Sequence, residues 1–164
     1  MACLGVLFAI EPDEALRLLA ATADDEVRTI VQDEIEERWD EAWLVELDNA
    51  WDAIHRCLSD GTLSEHGSRH PSRLAVLGGR RLHKEADYII SLVTPEEAKA
   101  VASDIAAIDE AWLHARYDAI DANDYGYPKS AEDFDYTWEY FQSLPQFFKR
   151  AGDAGRYVIF TVDQ

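Results

Sequence analysis

The sequence is short of positive charge. Of its 164 residues, 15 are Lys or Arg and 33 are Asp or Glu, which gives a formal net charge of −18. A phosphate backbone is bound mainly by Lys and Arg, so this balance argues against direct binding of nucleic acid. The same acidity favours solubility and attraction to basic partners, but it does not determine the fold.

Long hydrophobic runs are also scarce. A bilayer-spanning helix needs about 20 mostly apolar residues, whereas the longest apolar stretch here covers residues 1–10 and contains Gly5. That stretch lacks the basic start of a secretory signal and runs directly into Glu11-Pro12-Asp13. We therefore expect a cytoplasmic protein that does not associate with a membrane.

Cysteine is rare, with Cys3 and Cys57 too far apart for a C-x-x-C pair. Disulfide frameworks and zinc sites need a denser pattern, so both residues should remain thiols. The sequence also has no G-x-x-x-x-G-K-[ST] phosphate loop, no G-x-G-x-x-G loop, no H-E-x-x-H and no G-x-S-x-G. We accordingly predict no cofactor and no bound metal.

The chain does have enough apolar material for one core. Hydrophobic residues make up 48% of it, and five Trp, six Phe and seven Tyr supply large side chains. A chain of this length removes about 68–70% of its unfolded surface from water, so it needs no disulfide or metal for stability. We expect a single domain over residues 1–164, without internal repeats.

Periodicity indicates an α+β fold with a small mixed or antiparallel sheet. Short apolar segments predict strands near residues 2–10, 88–93 and 156–162. About five helices fill the intervals between them. Since strands and helices do not alternate regularly, we expect these helices to cover one side of the sheet.

Two helices are predicted in more detail. The segment TPEE at residues 94–97 has the cap, the early proline and the reciprocal glutamate of a helix start. The apolar spacing after it predicts one helix as far as Trp112. A last helix is expected over residues 133–151, and Pro145 should kink or break it because proline removes a backbone donor.

Residues 24–41 are strongly acidic. They contain nine Asp or Glu against two Arg, around an apolar stripe at helical spacing. The stripe consists of Val27, Ile30, Val31, Ile35 and Trp39. Such a pattern is typical of a helix with a solvated acidic face, and the alternative is a protein-binding surface.

A first candidate site lies on a helix predicted over residues 48–59. Asp48, Asp52 and His55 are spaced four and three residues apart, so they project from one side, with Trp51 adjoining. A carboxylate beside an imidazole can fix its tautomer and prepare a general base. The structural alternative is that Asp48 caps the helix and His55 only packs.

A second candidate is a basic segment over residues 66–84. It contains no acidic residue but five basic ones, namely Arg69, Arg73, Arg80, Arg81 and Lys84. Backbone amides at Gly78 and Gly79 could approach an anion beside Arg80 and Arg81. The same pattern would arise if the segment docked against the protein's own acidic helices or those of a second subunit.

Several segments together resemble the YfbM-like bacterial domains of unknown function. They are the opening strand followed by Pro12, LDxxWxxIHxxL at residues 47–58, AVLGG at 75–79, LxTPEE at 92–97 and VIF at 158–160. The resemblance covers residues 1–162 and implies a single-domain α+β fold. It implies no activity, but it directs attention to Trp51, His55 and the Gly78-Gly79 turn.

Three functional hypotheses follow. The first is a cytoplasmic binding or interaction module with a cleft lined by Trp51 and His55, next to an anion-binding turn at residues 78–81. Its partner is a protein or an anionic small molecule. Its candidate ligand-binding residues are Asp48, Trp51, Asp52, His55, Gly78, Gly79, Arg80 and Arg81. The second is a small enzyme with His55 as general base, oriented by Asp52. The third is an acidic inhibitor or immunity-type protein; in each case a homo-oligomer is possible.

Overall fold

The structure, a computed structural model, describes residues 3–164. Five strands form one sheet: β1 (Gly5–Ile10), β2 (Leu44–Asp48), β3 (Arg80–Arg81), β4 (Tyr88–Val93) and β5 (Tyr157–Asp163). The α-helices are α1 (Pro12–Ala20), α2 (Asp24–Thr29), α3 (Trp51–Leu58), α4 (Pro95–Ile105), α5 (Glu110–Asp118), α6 (Ala131–Phe141) and α7 (Leu144–Asp153). The predicted α+β class is confirmed.

The sheet is antiparallel throughout, with strand order β2-β1-β5-β4-β3. The three predicted strands, β1, β4 and β5, are its central strands, and β2 and β3 form its edges. The central strands are mostly apolar, and nearly all of their residues are buried, as is typical of strands with both faces covered. Ser91 and Thr161 are the buried polar residues in them. This burial explains why they could be recognised from sequence without alternation of polar residues.

Helices cover both faces of the sheet, so the expectation of one covered side is wrong. Leu7, Val158 and Phe160 face a core shared with α3 to α7. Their neighbours Phe8 and Ile159 face a second core, shared with α1 and α2. Alternate residues of one strand point to opposite faces, and each strand therefore contributes to both cores.

The acidic segment forms two kinds of helix. After α2 the chain continues as a π-helix over Ile30–Glu36. Val27, Val31 and Ile35 are buried as the apolar stripe predicts, whereas Trp39 is 39% exposed. A π-helix of seven residues is uncommon, and π segments are frequent at functional sites.

The helix predicted from residue 94 to Trp112 is in fact two helices. Thr94 and Glu97 form the expected capping box at the start of α4. The helix ends at Ile105, and Asp109 begins α5 by accepting a hydrogen bond from the Trp112 amide at 2.8 Å. The apolar spacing continued past this break by coincidence, and Trp112 is 42% exposed rather than buried.

The break predicted at Pro145 is confirmed. Helix α6 ends at Phe141 and α7 begins at Leu144, with Pro145 in its first turn. In this position proline loses no helical hydrogen bond, because the first amides of a helix have no partner within it. No helix within residues 3–164 is long and apolar enough to cross a membrane.

Candidate functional site

Trp51 is enclosed rather than lining a cleft. Its side chain is 3% exposed, its Nε1 donates to the carbonyl of Cys3 at 2.8 Å, and its ring lies 5.7 Å from that of Phe160. Gly5 is required beside it, because a Cβ there would come within 2.8 Å of both aromatic side chains. Trp51 therefore joins α3 to the centre of the sheet.

His55 lies beside the Gly78-Gly79 turn, as predicted, but inside the protein. Its side chain is 1% exposed. The Leu77 amide donates to Nδ1 at 3.4 Å, and Nε2 lies 2.9 Å from the Ser64 carbonyl. Nε2 must therefore carry the proton, which makes the ring neutral. Burial lowers the pKa of His55 below its usual 6.5.

Asp52 does not orient His55. Its carboxylate accepts from Nε of Arg56 at 2.6 Å, one helical turn along α3. Arg56 also donates to Asp124 at 2.5 Å and to the Gly61 carbonyl at 3.3 Å. Arg56 is 3% exposed, so its ion pair with Asp52 is buried, whereas Asp124 is at the surface. The network fastens two loops to α3. Asp52 therefore forms a structural ion pair with Arg56 and not the predicted acid–base pair with His55.

Asp48 is not the cap of α3. It is the last residue of β2 and has a left-handed backbone, with φ of 49°. Its carboxylate accepts from the Asn49 amide at 2.7 Å and from the Tyr140 hydroxyl at 3.5 Å. Helix α3 begins after Ala50, without a side-chain cap. The expected start of the helix at Asp48 and the expected cap there are therefore both wrong.

The glycine pair is needed for close packing. A Cβ at Gly79 would lie 2.7 Å from the Leu92 carbonyl oxygen, and one at Gly78 would overlap the Arg73 carbonyl. Both glycines are buried, and neither has a positive φ. The backbone of both glycines is therefore packed against the protein itself. Of the four residues predicted to bind an anion at positions 78–81, Arg80 alone is exposed.

The basic segment makes many of its contacts within the chain. Arg81 forms an ion pair with Glu65 at 3.0 Å and donates to the His83 carbonyl at 2.7 Å. Arg73 donates to the Gly78 carbonyl at 3.1 Å. Asp24 at the start of α2 accepts from the Lys84 amide at 3.0 Å. Much of the basic segment therefore contacts the protein itself, which agrees with the alternative that it docks within its own chain.

The surface that remains most strongly charged is the acidic layer, which we define as residues 11–41. It comprises α1, α2, the π-helix and their connections. Twelve Asp or Glu face three Arg there, a net charge of −9. One fifth of the chain therefore carries half of the net charge.

Every arginine of the acidic layer is in an ion pair. Arg17 contacts Glu34 at 2.5 Å, Arg38 contacts Glu14 at 3.0 Å, and Arg28 contacts Asp87 at 2.7 Å. These pairs lie at the surface and stabilise the fold little. All three arginines of the layer are thus paired, and exposed carboxylates such as Asp33, Glu37 and Glu41 form no ion pair with the residues that the structure describes.

Two large apolar side chains are exposed in the acidic layer. Leu16 is 57% exposed and Trp39 is 39% exposed. The ion pair between Glu14 and Arg38 brings their two segments together. Trp39 has a left-handed backbone with φ of 42°, which is uncommon for a bulky residue, and one edge of its ring contacts Phe8. An exposed indole that contacts the sheet thus lies in a segment rich in carboxylates.

Comparison with known proteins places this chain in a family. A family model described as a domain of unknown function, DUF1877, matches residues 1–161. The chain belongs to the DUF1877 family. No curated protein matches it.

A solved structure supports the fold of this DUF1877 chain. The crystal structure of YfbM from Escherichia coli, described as a protein of unknown function, matches with a TM-score of 0.69. The two sequences are 17% identical, and the match covers 97% of this chain and 99% of the other. The predicted resemblance to YfbM-like domains is confirmed. At this identity the likeness concerns the fold alone.

Proposed function

We propose that the protein is an interaction module that binds a basic protein partner through the acidic layer, without catalysing a reaction. We place it in the cytoplasm, where its two free thiols, Cys3 and Cys57, would remain reduced. The observation that carries the proposal is the charge of −9 confined to residues 11–41, with all three arginines of this layer already in ion pairs.

The distribution of charge supports a protein partner. A concentrated negative field attracts a positively charged surface and speeds its association. Exposed Leu16 and Trp39 add apolar area among the carboxylates. Interfaces combine a few aromatic anchors with a polar rim, and this layer offers both. The π-helix at its centre is a second feature that is frequent at functional sites.

The geometry at His55 gives no support to the alternative of an enzyme. A general base must reach the proton that it removes. Both ring nitrogens of His55 contact backbone groups, and the side chain is 1% exposed. Asp52, the residue expected to orient it, contacts Arg56 at 2.6 Å. The inhibitor alternative is compatible with the proposal, because an inhibitor of a basic protein would use the same surface.

The test compares two variants that each lose three exposed carboxylates. One removes charge from the acidic layer, through Asp33→Asn, Glu37→Gln and Glu41→Gln. The matched control removes charge from α6, through Asp135→Asn, Glu132→Gln and Glu139→Gln. These six residues are exposed and form no ion pair within residues 3–164. Each protein is immobilised and exposed to an extract of the source cells at low and physiological salt.

We expect at least one basic protein to be retained by the wild type and by the α6 variant, and to be lost from the acidic-layer variant. Retention should fall as salt rises, because salt screens exposed charges. Equal retention by the two variants would contradict the proposal. So would retention that does not respond to salt, or the absence of any saturable partner.

A further inference from the structure

A groove with both polar and apolar walls lies at the end of α3, on the face of the sheet that is covered by α3 to α7. It has a volume of about 450 Å³, within the range of small-molecule sites. The end of α3, the loop before residue 72, the end of α4 and one side of α5 surround it. We call it the Ser59 groove. Sequence reasoning missed it because its walls come from four separate segments.

Ser59 is the unusual member of this groove. The residue is 3% exposed, and within residues 3–164 its Oγ has no hydrogen-bond partner. A buried hydroxyl without a partner is destabilising, and such groups are few in native proteins. Its backbone carbonyl, by contrast, accepts from Arg116. Ser59 thus brings to the lining of the groove a buried hydroxyl that has no partner within residues 3–164.

Two opposite charges line the same groove. Arg116 on α5 donates through Nε to the Cys57 carbonyl at 3.1 Å and through Nη2 to the Ser59 carbonyl. Asp104 on α4 accepts from the Ser72 amide through Oδ2 at 2.8 Å. These bonds fix both side chains, yet the described chain shows no ion pair between them. Nη1 of Arg116 and Oδ1 of Asp104 make no hydrogen bond to the described residues.

The rest of the wall is apolar. Leu58 and Ile108 line it, and Trp112 presents an exposed indole whose ring lies 5.5 Å from the Arg116 guanidinium. The groove therefore combines one cation, one anion, an unpartnered hydroxyl and an apolar side. An α-amino acid has the matching groups: a carboxylate, an ammonium and a small side chain.

We propose that the Ser59 groove binds a free α-amino acid. Arg116 receives its carboxylate, Asp104 receives its ammonium, and the Ser59 hydroxyl supplies a further hydrogen bond. The side chain of the ligand contacts Leu58, Ile108 and Trp112. This site is independent of the proposed protein-binding surface, because the groove and the acidic layer lie on opposite faces of the sheet.

The first experiment is a thermal-unfolding screen of the full chain with each protein-forming amino acid at millimolar concentration. A ligand that binds only the folded state raises the unfolding midpoint in a saturable manner. We expect such a rise for a subset of the amino acids. The same compounds with an amidated carboxyl or an acetylated amine should bind at least about tenfold more weakly, because each lacks one charge-assisted hydrogen bond.

Two variants test the named residues, with Glu110→Gln on α5 as the matched control outside the groove. Asp104→Asn keeps an oxygen for the Ser72 amide, so it should fold normally and bind the selected amino acid at least about tenfold more weakly. Ser59→Ala should raise the unfolding midpoint without ligand, since it removes an unpartnered buried hydroxyl, and should reduce the shift that the ligand causes. The control should behave as the wild type does.

The inference would be overturned if no amino acid gave a saturable shift. Binding that Asp104→Asn leaves unchanged would also overturn it, as would equal binding of the amidated and acetylated compounds. A fall in the ligand-free midpoint of Ser59→Ala would show that the hydroxyl has a structural role instead. Failure of the protein-binding test would leave these outcomes unaffected, since that test concerns the other face.

Discussion

The two faces of the sheet use charge in opposite ways. On the face covered by α3 to α7, cations are held by groups of the protein itself. Arg56 is buried between Asp52 and Asp124, and Arg116 binds the carbonyls that end α3. On the face covered by α1 and α2, three arginines are outnumbered by twelve carboxylates. Arginines thus stabilise the first face through contacts with the protein, and half of the net negative charge of the chain lies in the layer that covers the second face.

On the face covered by α3 to α7, cations also donate hydrogen bonds to the carbonyl groups at the ends of helices. Lys129 donates to the carbonyls of Asp118 and Ile120, both at 2.8 Å, just where α5 ends. Arg116 does the same at the end of α3. The last carbonyls of a helix lack partners and carry partial negative charge, so a cation there is stabilising.

The largest expected effect concerns access to the interior of the first face. Cys57 is fully buried, and burial raises the pKa of its thiol to about 12. Since only the thiolate is alkylated, Cys57 should react only after the protein unfolds. Cys3, which is partly exposed, should react in the folded protein. We expect Cys57 to react at least about a thousandfold more slowly than a free thiol, as measured by mass spectrometry of alkylated peptides. Equal rates would show that this face opens readily.

The next effect comes from the buried ion pairs. Arg56→Met should destabilise the protein by about 3–5 kcal/mol, because it leaves the buried carboxylate of Asp52 without a cation. Arg17→Met, which removes an exposed pair of the acidic layer, should change stability much less. Urea unfolding of the two variants measures the difference. Similar losses in both would contradict the contrast between the faces.

A smaller effect is expected from acid. Because burial holds the pKa of His55 below 6.5, the unfolded chain takes up this proton at a higher pH than the folded protein does. Stability from His55 is therefore complete above about pH 6.5 and is lost as the pH falls through the folded pKa. His55→Gln should flatten this part of the stability curve. If wild type and variant lose stability in parallel between pH 7 and pH 5 (about the range in which His titrates), His55 is not held neutral.

The smallest effect belongs to the acidic layer. Its carboxylates repel one another, so the triple substitution of Asp33, Glu37 and Glu41 should raise the unfolding midpoint by about 1 °C at low salt. High salt should abolish the difference, because it screens exposed charges. Differential scanning calorimetry at two salt concentrations checks this. A fall in the midpoint would mean that these carboxylates have partners that stabilise the fold.

Much of the fold could be predicted from local signals. The buried strands β1, β4 and β5 were recognisable as short apolar runs, and the capping box at Thr94 and the break at Pro145 are chemical signals within a few residues. The helix predicted to reach Trp112 failed because apolar spacing cannot show that Asp109 caps a new helix. The second layer of helices was not predicted. The strands are apolar enough to be buried on both faces, but helices were expected on one face only.

The candidate site was harder to predict because its contacts are long-range. Spacing placed Asp52 near His55, but Asp52 contacts Arg56, whose second partner, Asp124, is 68 residues away in sequence. The Ser59 groove likewise depends on residues from four segments. The acidity of residues 24–41 was visible at once, whereas the pairing of all three arginines of the acidic layer required the structure.

The most direct test of the central claim is the salt dependence of partner binding by the two matched triple variants. For a partner retained by the wild type, the affinity of the acidic-layer variant should be clearly weaker and less sensitive to salt, whereas the α6 variant should match the wild type. Identical affinities and identical salt dependence for the two variants would contradict the assignment of the binding surface to residues 11–41.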